Sequence, residues 1–226
     1  MKSPIVLAIT GASGSLYALR LLECLLRAHV QVQLILSNSA AVVMQQELGV
    51  TVEPDELRVE QLLSTASGTT PRTDVQRLVQ RIGEGLYECV NGQPEPAVIC
   101  HANSDFMAPV ASGSFLTQGM VICPCSGSTL AAVASGGSHN LIQRAADVHL
   151  KERRKLVLVP RETPLSTIHL ENMLRASQAG AVILPAMPGW YHGVQCLGDL
   201  VDFVVARILD QLGVENRLIE RWGVDA

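Results

Sequence analysis

Residues 106–143 contain no Asp, Glu, Lys or Arg at all. A charge-free segment of that length belongs in a core, in a ligand site or between subunits. It is rich in Gly, Ser and Pro and lacks the continuous apolar run of about 20 residues that a membrane span requires. Cysteine is present but unpatterned. Cys24, Cys89, Cys100, Cys123, Cys125 and Cys196 form no Cys-x-x-Cys pair, and Cys123-Pro124-Cys125 is too tight for a zinc knuckle. Buried, reduced thiols in a cytoplasmic protein are the plain expectation. No basic run exceeds Arg153-Arg154-Lys155 and the net charge is -4, which argues against a nucleic-acid partner. The first strand pattern begins at Ile5, which leaves no room for a signal peptide. No internal repeat is visible.

What is there suits one α/β domain: 226 residues, of which 48% are hydrophobic. Short apolar runs at 5–10, 30–36, 120–123, 155–159 and 181–184 read as strands. Between them, 16–28, 39–48, 129–134, 141–152, 166–179 and 199–212 read as helices. Apolar strands alternating with helices predict a three-layer, doubly wound parallel sheet of the flavodoxin or Rossmann kind. The expected organisation is a single domain over 1–226. Within it, residues 50–103 carry many charges, several prolines and weak periodicity, and read as a variable elaboration on the surface. A helix over 75–86 and a short strand over 97–100 are its only regular signals.

The first strand stops at Gly11-Ala12-Ser13-Gly14-Ser15, and a helix follows. Free backbone N–H groups and the positive end of the helix dipole make such a turn an anion site, which suggests a phosphorylated cofactor. Its Gly-x-x-Gly spacing is looser than the dinucleotide fingerprint, and the second strand ends in Ser37-Asn38-Ser39 with no carboxylate for a ribose. Both features favour a mononucleotide over a nicotinamide cofactor. A second hydroxyl-rich turn, Pro124-Cys125-Ser126-Gly127-Ser128-Thr129, also follows a strand and opens a helix. In doubly wound sheets such turns converge outside the carboxyl ends of the strands.

Two further segments carry chemistry. Arg144, Asp147 and Lys151 fall on one helical face, and the next strand ends in the rigid turn Pro160-Arg161-Glu162-Thr163-Pro164. Lys151, Arg161 and Glu162 would bring two cations and a carboxylate beside an anion site. The turn Pro185-Ala186-Met187-Pro188-Gly189-Trp190-Tyr191-His192 offers flat apolar faces and a hydroxyl. His192 reads there as a structural donor and not as an acid–base group.

These motifs, with Leu150-Lys151-Glu152-Arg153-Arg154, Gly180-Ala181-Val182-Ile183-Leu184-Pro185 and the closing Arg221-Trp222, resemble the UbiX-type flavin prenyltransferases over nearly the whole chain. The resemblance implies transfer of a dimethylallyl group from dimethylallyl phosphate to N5 and C6 of reduced FMN. The product, prenylated FMN, would serve a partner decarboxylase of the UbiD type in ubiquinone or aromatic-acid metabolism. It also implies no metal, a flavodoxin-like fold, and a homo-oligomer, a dodecamer, with sites at subunit junctions. By matching positions, Ser13, Glu47, Lys151 and Glu162 are the catalytic candidates. FMN would lie on Gly11, Ala12, Ser13, Ser37, Ser126, Gly127, Ser128, Thr129 and Arg161. The prenyl phosphate would meet Arg144, Lys151, Arg161, Tyr191, Arg207 and Trp222.

Physical chemistry agrees with that allocation. A departing phosphate needs cations, which Lys151, Arg161 and Arg207 can supply, arginine through a bidentate fork. An allyl cation needs a dry pocket with π faces, to which Trp222 can contribute. The proton released on ring closure could go to Glu162, to Glu47 or to the phosphate itself. The rival within the same fold is an FMN-dependent decarboxylase of the cysteine-peptide or phosphopantothenoylcysteine type. Those enzymes place a catalytic His shortly after the second strand, and residues 39–48 contain none. A non-catalytic FMN-binding subunit would not need Lys151, Arg161, Glu162 and Arg207 together.

Overall fold

The computed structural model describes residues 3–63, 73–92, 97–221 and 223. Six parallel strands form one sheet in the order β3-β2-β1-β4-β5-β6. They are β1 (Ile5–Ile9), β2 (Val32–Leu36), β3 (Val98–His101), β4 (Gly119–Cys125), β5 (Lys155–Pro160) and β6 (Val182–Ile183). The chain moves outward from β1 to β3 and then returns to lay β4 against the other side of β1. The strand order therefore reverses between β1 and β4, and the crevice at that point opens beyond their carboxyl ends.

Strand alternation sorts the side chains into two cores. Ile5, Leu7 and Ile9 of β1, with Val121 of β4 and Val157 of β5, face α1 (Ser15–Arg27), α2 (Asn38–Leu48), α4 (Asp74–Asn91) and α8 (Leu197–Leu212). Val6 and Ala8, with Met120, Ile122, Leu156 and Leu158, face α5 (Gly127–Ser135), α6 (Leu141–Lys151) and α7 (Thr167–Gln178). These are the three layers expected from the sequence. Apolar strands without a polar face require helices on both sides, because each buried Leu or Ile contributes about 1.5–3 kcal/mol only when water is excluded.

Several boundaries move for identifiable reasons. Helix α8 starts two residues before Asp199, whose carboxylate accepts the N–H groups of Gln195 (2.8 Å) and Cys196 (2.9 Å) at the cap. Helix α4 begins at Asp74 after the cap Thr73, where a reciprocal capping box with Gln76 closes at 3.2 Å in both directions. A 3₁₀ turn at Pro54–Glu56 and the short helix α3 (Val59–Leu63) were not predicted.

The surface expectation for residues 50–103 is corrected by the packing. Leu62, Leu78, Ile82 and Leu86 enter the main core, and Val98–His101 forms the edge strand. Helix α4 approaches α1 closely because Gly85 lies against the buried Glu23 carboxylate, where a Cβ would collide. Glu23 is 4% exposed and is matched by Arg20 (2.7 Å) and Arg27 (2.9 Å). Arg20 also holds Asp202 of α8 at 2.7 Å, and Arg27 reaches Glu88 of α4 at 3.6 Å, so one ionic chain ties α8, α1 and α4.

The charge-free stretch divides. Strand β4 is buried throughout, but Phe106, Met107 and Leu116 stand exposed on the protomer, Met107 by 91%. Within one protomer the expected burial is therefore only partial. Arg144 and Arg154 hold this loop by donating to the Ala111 and Phe115 carbonyls at 3.0 and 2.7 Å.

Candidate active site

The two predicted turns meet at the point where the strand order reverses. Thr10, at the end of β1, is 2% exposed, and its hydroxyl donates to the Pro124 carbonyl at 2.8 Å. The same oxygen accepts the Ser126 N–H at 2.8 Å, so Thr10 sews the β1 turn to the β4 turn. Sequence reading passed over this residue. Its signal was a single polar side chain ending an otherwise apolar strand.

Three helix N-termini open into the resulting cleft of about 650 Å³. Their caps all line it: Ser37 accepts from Ala40 N (3.1 Å), Ser126 from Thr129 N (3.3 Å) and Asn140 from Gln143 N (3.0 Å). The remaining N–H groups of each first turn and the positive ends of three helix dipoles favour an anion in the cleft. No Lys or Arg is among its described lining residues, and Asp55 is the one carboxylate. Gly11 at the cleft wall lies so close to Ser39 that a side chain there would strike it. Asn103 was also missed. It sets the entrance of α6 by accepting Leu141 N (2.8 Å) on its carbonyl and Ile142 N (3.2 Å) on its side chain.

The first turn differs from expectation in one respect. Its anion site is filled from within the chain, because Glu47 of α2 accepts Gly14 N at 3.1 Å and Ser15 N at 3.0 Å. Burial raises the Glu47 carboxyl, but hydrogen bonds from the Ser13 side chain and the Ser15 and Gly14 backbone outweigh it and leave the group below its ordinary value. Of this turn, Gly11 lines the cleft, Ala12 is buried, and the Ser13 side chain bonds Glu47, which the dipole of α1 faces.

Arg161 follows β5 directly and donates from Nε to the Ser13 carbonyl at 3.2 Å, which brings the Arg161–Glu162 turn to the same edge. Glu162 is exposed and accepts Thr163 N at 3.2 Å. The Ala186 N–H donates to the Pro160 carbonyl at 3.0 Å, so the turn carrying Tyr191 starts beside Arg161. Tyr191 itself is 66% exposed and meets Phe203 edge-on, with ring centres 5.8 Å apart. His192 donates to the Asp199 carbonyl (3.2 Å) and stacks on Phe203, consistent with a structural part.

One chain does not bring the other cations here, which corrects the expected juxtaposition of Lys151 with Arg161 and Glu162. Lys151 ends α6, about 16 Å along the helix from its cap in the cleft. It pairs with Glu152 near Gly113, by the amino ends of the strands. Arg144 is half-buried and engaged by Asp147 at 2.8 Å. Arg207 lies one turn beyond Phe203 and pairs with Asp210 (3.1 Å), which also holds Arg221 (2.8 Å). Trp222 lies outside the described residues.

An open parallel sheet whose cleft is lined by hydroxyls, amides and helix N-termini defines a mononucleotide-binding α/β protein. The chain belongs to the flavoprotein family, whose sequence profile matches residues 1–209, and within it to the UbiX-type flavin prenyltransferases. It is 48% identical to the flavin prenyltransferase UbiX of Pseudomonas aeruginosa, over 97% of this chain and 93% of that protein. A UbiX protein solved with FMN and dimethylallyl pyrophosphate superposes with a TM-score of 0.76 at 36% identity, covering 100% of both chains. A dodecameric FMN-dependent UbiX-like decarboxylase from Escherichia coli O157:H7 gives a TM-score of 0.73 at 37% identity, covering 99% of this chain and 100% of that one. No helix among the described residues is long and apolar enough to cross a membrane.

Proposed function

We propose that this protein transfers the dimethylallyl group of dimethylallyl phosphate to N5 and C6 of reduced FMN, without a metal, and passes the product to a UbiD-type decarboxylase in the cytoplasm. The observation that carries this reading is the convergence of three capped helix N-termini on one cleft beside the Arg161–Glu162 turn. The cleft fits a flavin mononucleotide: amide and hydroxyl donors for the ribityl chain, and helix ends for a phosphate in place of cationic side chains. Ser37, Ser126, Gly127, Ser128 and Thr129 would hold that end, and Gly11, Ala12, Ser13 and Arg161 the ring end. Reduced FMN, when bound, supplies the nucleophilic positions that accept the prenyl group.

The chain's own residues do the rest. Arg161 donates to the departing phosphate and stabilises the charge that grows on it. Glu162, exposed beside Arg161, accepts the proton that ring closure releases. Glu47 orients Ser13 and fixes the turn that carries it. Lys151, Arg207, Tyr191 and Trp222 complete the phosphate and prenyl pockets, with Arg144 bracing the loop beside them. Lys151 and Glu162 stand apart on one protomer, so we place the complete site at a junction between copies of the chain, in a dodecamer. The exposed Phe106, Met107 and Leu116 of the charge-free loop fit burial at such junctions.

The direct test is to incubate the protein with reduced FMN and dimethylallyl phosphate and to weigh the flavin. A gain of one prenyl unit is expected. Flavin recovered unmodified under these conditions refutes the reading.

A further inference from the structure

The cap of α7 contains a histidine that neither the cleft nor the prenyl chemistry has used. Ser166 and His169 form a reciprocal capping box: the Ser166 hydroxyl accepts His169 N at 3.2 Å, and His169 Nδ1 accepts Ser166 N at 3.3 Å. That position is commonly Glu or Gln, whose side chains make the same bond. An imidazole adds a second edge. Accepting on Nδ1 fixes the neutral tautomer with its hydrogen on Nε2. This edge lies against Gly127, where an added Cβ would stand 3.1 Å from Nε2 and 3.5 Å from Cδ2. Gly127 opens α5, between Ser126 and Ser128 of the cleft. Ser166, in turn, ends the loop that begins at Arg161 and Glu162.

We propose that His169 is a positioning residue: its ring, locked by the capping box, wedges between the Arg161–Ser166 loop and the Gly127 turn and sets the distance between the flavin end and the carboxylate end of the site. Glycine at 127 leaves room for the wedge, since a methyl group there would push the ring away. This inference rests on the flavin-binding reading of the Ser126–Thr129 turn. Displacing a positioned group by about 1 Å can cost about a hundredfold in rate.

The test separates capping from wedging. His169→Gln keeps the box, because a Gln carbonyl accepts the Ser166 N–H, but it removes the ring from Gly127. Its melting temperature should stay near that of the wild type, while prenyl transfer falls at least about tenfold with a much smaller change in KM for the prenyl phosphate. A His169→Gln protein that prenylates FMN at the wild-type rate overturns the proposal. A double-mutant cycle reaches the contact from the other side. Gly127→Ala should cost much less in a His169→Ala background than in the wild type, because the same contact is already lost. Losses that multiply independently overturn the wedge. Wild-type protein that binds no FMN would instead refute the flavin reading itself, so the two failures are distinguishable.

Discussion

Glu47→Gln is the most exposing perturbation, because the side chain keeps its shape while its charge leaves a helix terminus. In the wild type the carboxylate accepts Gly14 N at 3.1 Å and Ser15 N at 3.0 Å, and Ser13 donates to it as well. Exchanging charged for neutral hydrogen bonds and removing an anion from a helix N-terminus should together cost about 2 kcal/mol. Urea unfolding at pH 7 would read this as a lower midpoint with an unchanged slope. The pH dependence sharpens the test. The folded Glu47 carboxyl lies below its ordinary value, so on acidification the unfolded chain binds the proton first and stability falls as pH falls. The advantage of the wild type is therefore full above about pH 5 and shrinks as pH drops through the folded value. Because Glu47 fills the N-terminus of α1, in the proposed function the cofactor phosphate is held by the other helix ends. The substitution should then change FMN and riboflavin affinities by the same factor. Equal urea midpoints for variant and wild type at pH 7 would refute the claim that Glu47 holds this turn.

Three further outcomes are expected. Glu162→Gln should leave FMN affinity nearly unchanged in fluorescence titration while prenyl transfer drops by about 10²–10⁴, and a wild-type rate would make the departing phosphate the base. His149 is buried between Thr117 (2.8 Å) and the Ala145 carbonyl (2.7 Å), and burial pushes it down to about 4. Between pH 6.5 and 4 the unfolded chain binds a proton that the folded chain refuses, so about 3 kcal/mol of stability should be lost on acidification across that window. His149→Gln should flatten that part of the stability–pH curve, and an unchanged curve would contradict the burial argument. Lys151→Ala and Glu162→Gln chains, each impaired alone, should recover activity when co-assembled, and no recovery in mixed oligomers would place both residues in one protomer's site.

The parallel sheet was legible because its strands carry no polar face. Continuous burial with apolar residues on both faces, as in Ile5–Ile9 and in Lys155–Pro160 after its exposed first residue, has no other stable solution than helices above and below. Turns at Gly11 and Ser126 were legible for a related reason: small and hydroxyl residues between a strand and a helix leave donors that something must satisfy. Helix α4 was harder to read. Its apolar face at Leu78, Ile82 and Leu86 is interspersed with Gly83 and Gly85, which look like breakers, but Gly85 admits the Glu23–Arg27 pair. The partners of Asn103 and Thr10 were illegible from local pattern, although Thr10 itself stands out as a polar end to an apolar strand. Their partners lie 39 and 114 residues away, and only the sheet order brings them together.

Lys151 shows where sequence reasoning about a site reaches its limit. Its place in Leu150-Lys151-Glu152-Arg153-Arg154, close before the Arg161–Glu162 turn, suggested proximity in space. A helix that descends along the sheet and a strand that climbs back reverse that inference. Residues 141 and 160 sit near the carboxyl edge, whereas residues 151 and 155 sit near the opposite edge. Closeness in sequence across a tight α–β connection therefore means closeness at the amino edge, away from the cleft. The cations assigned to the prenyl phosphate fall into two sets on one protomer. Arg161 is joined to the cleft, while Lys151 and Arg207 stand outside it beside Glu152 and Asp210. Those acids hold the two cations half-exposed on the protomer, where a neighbouring chain can meet them. In the proposed dodecamer, assembly would create the phosphate pocket, and the charge-free loop held by Arg144 and Arg154 would supply apolar surface against which copies pack.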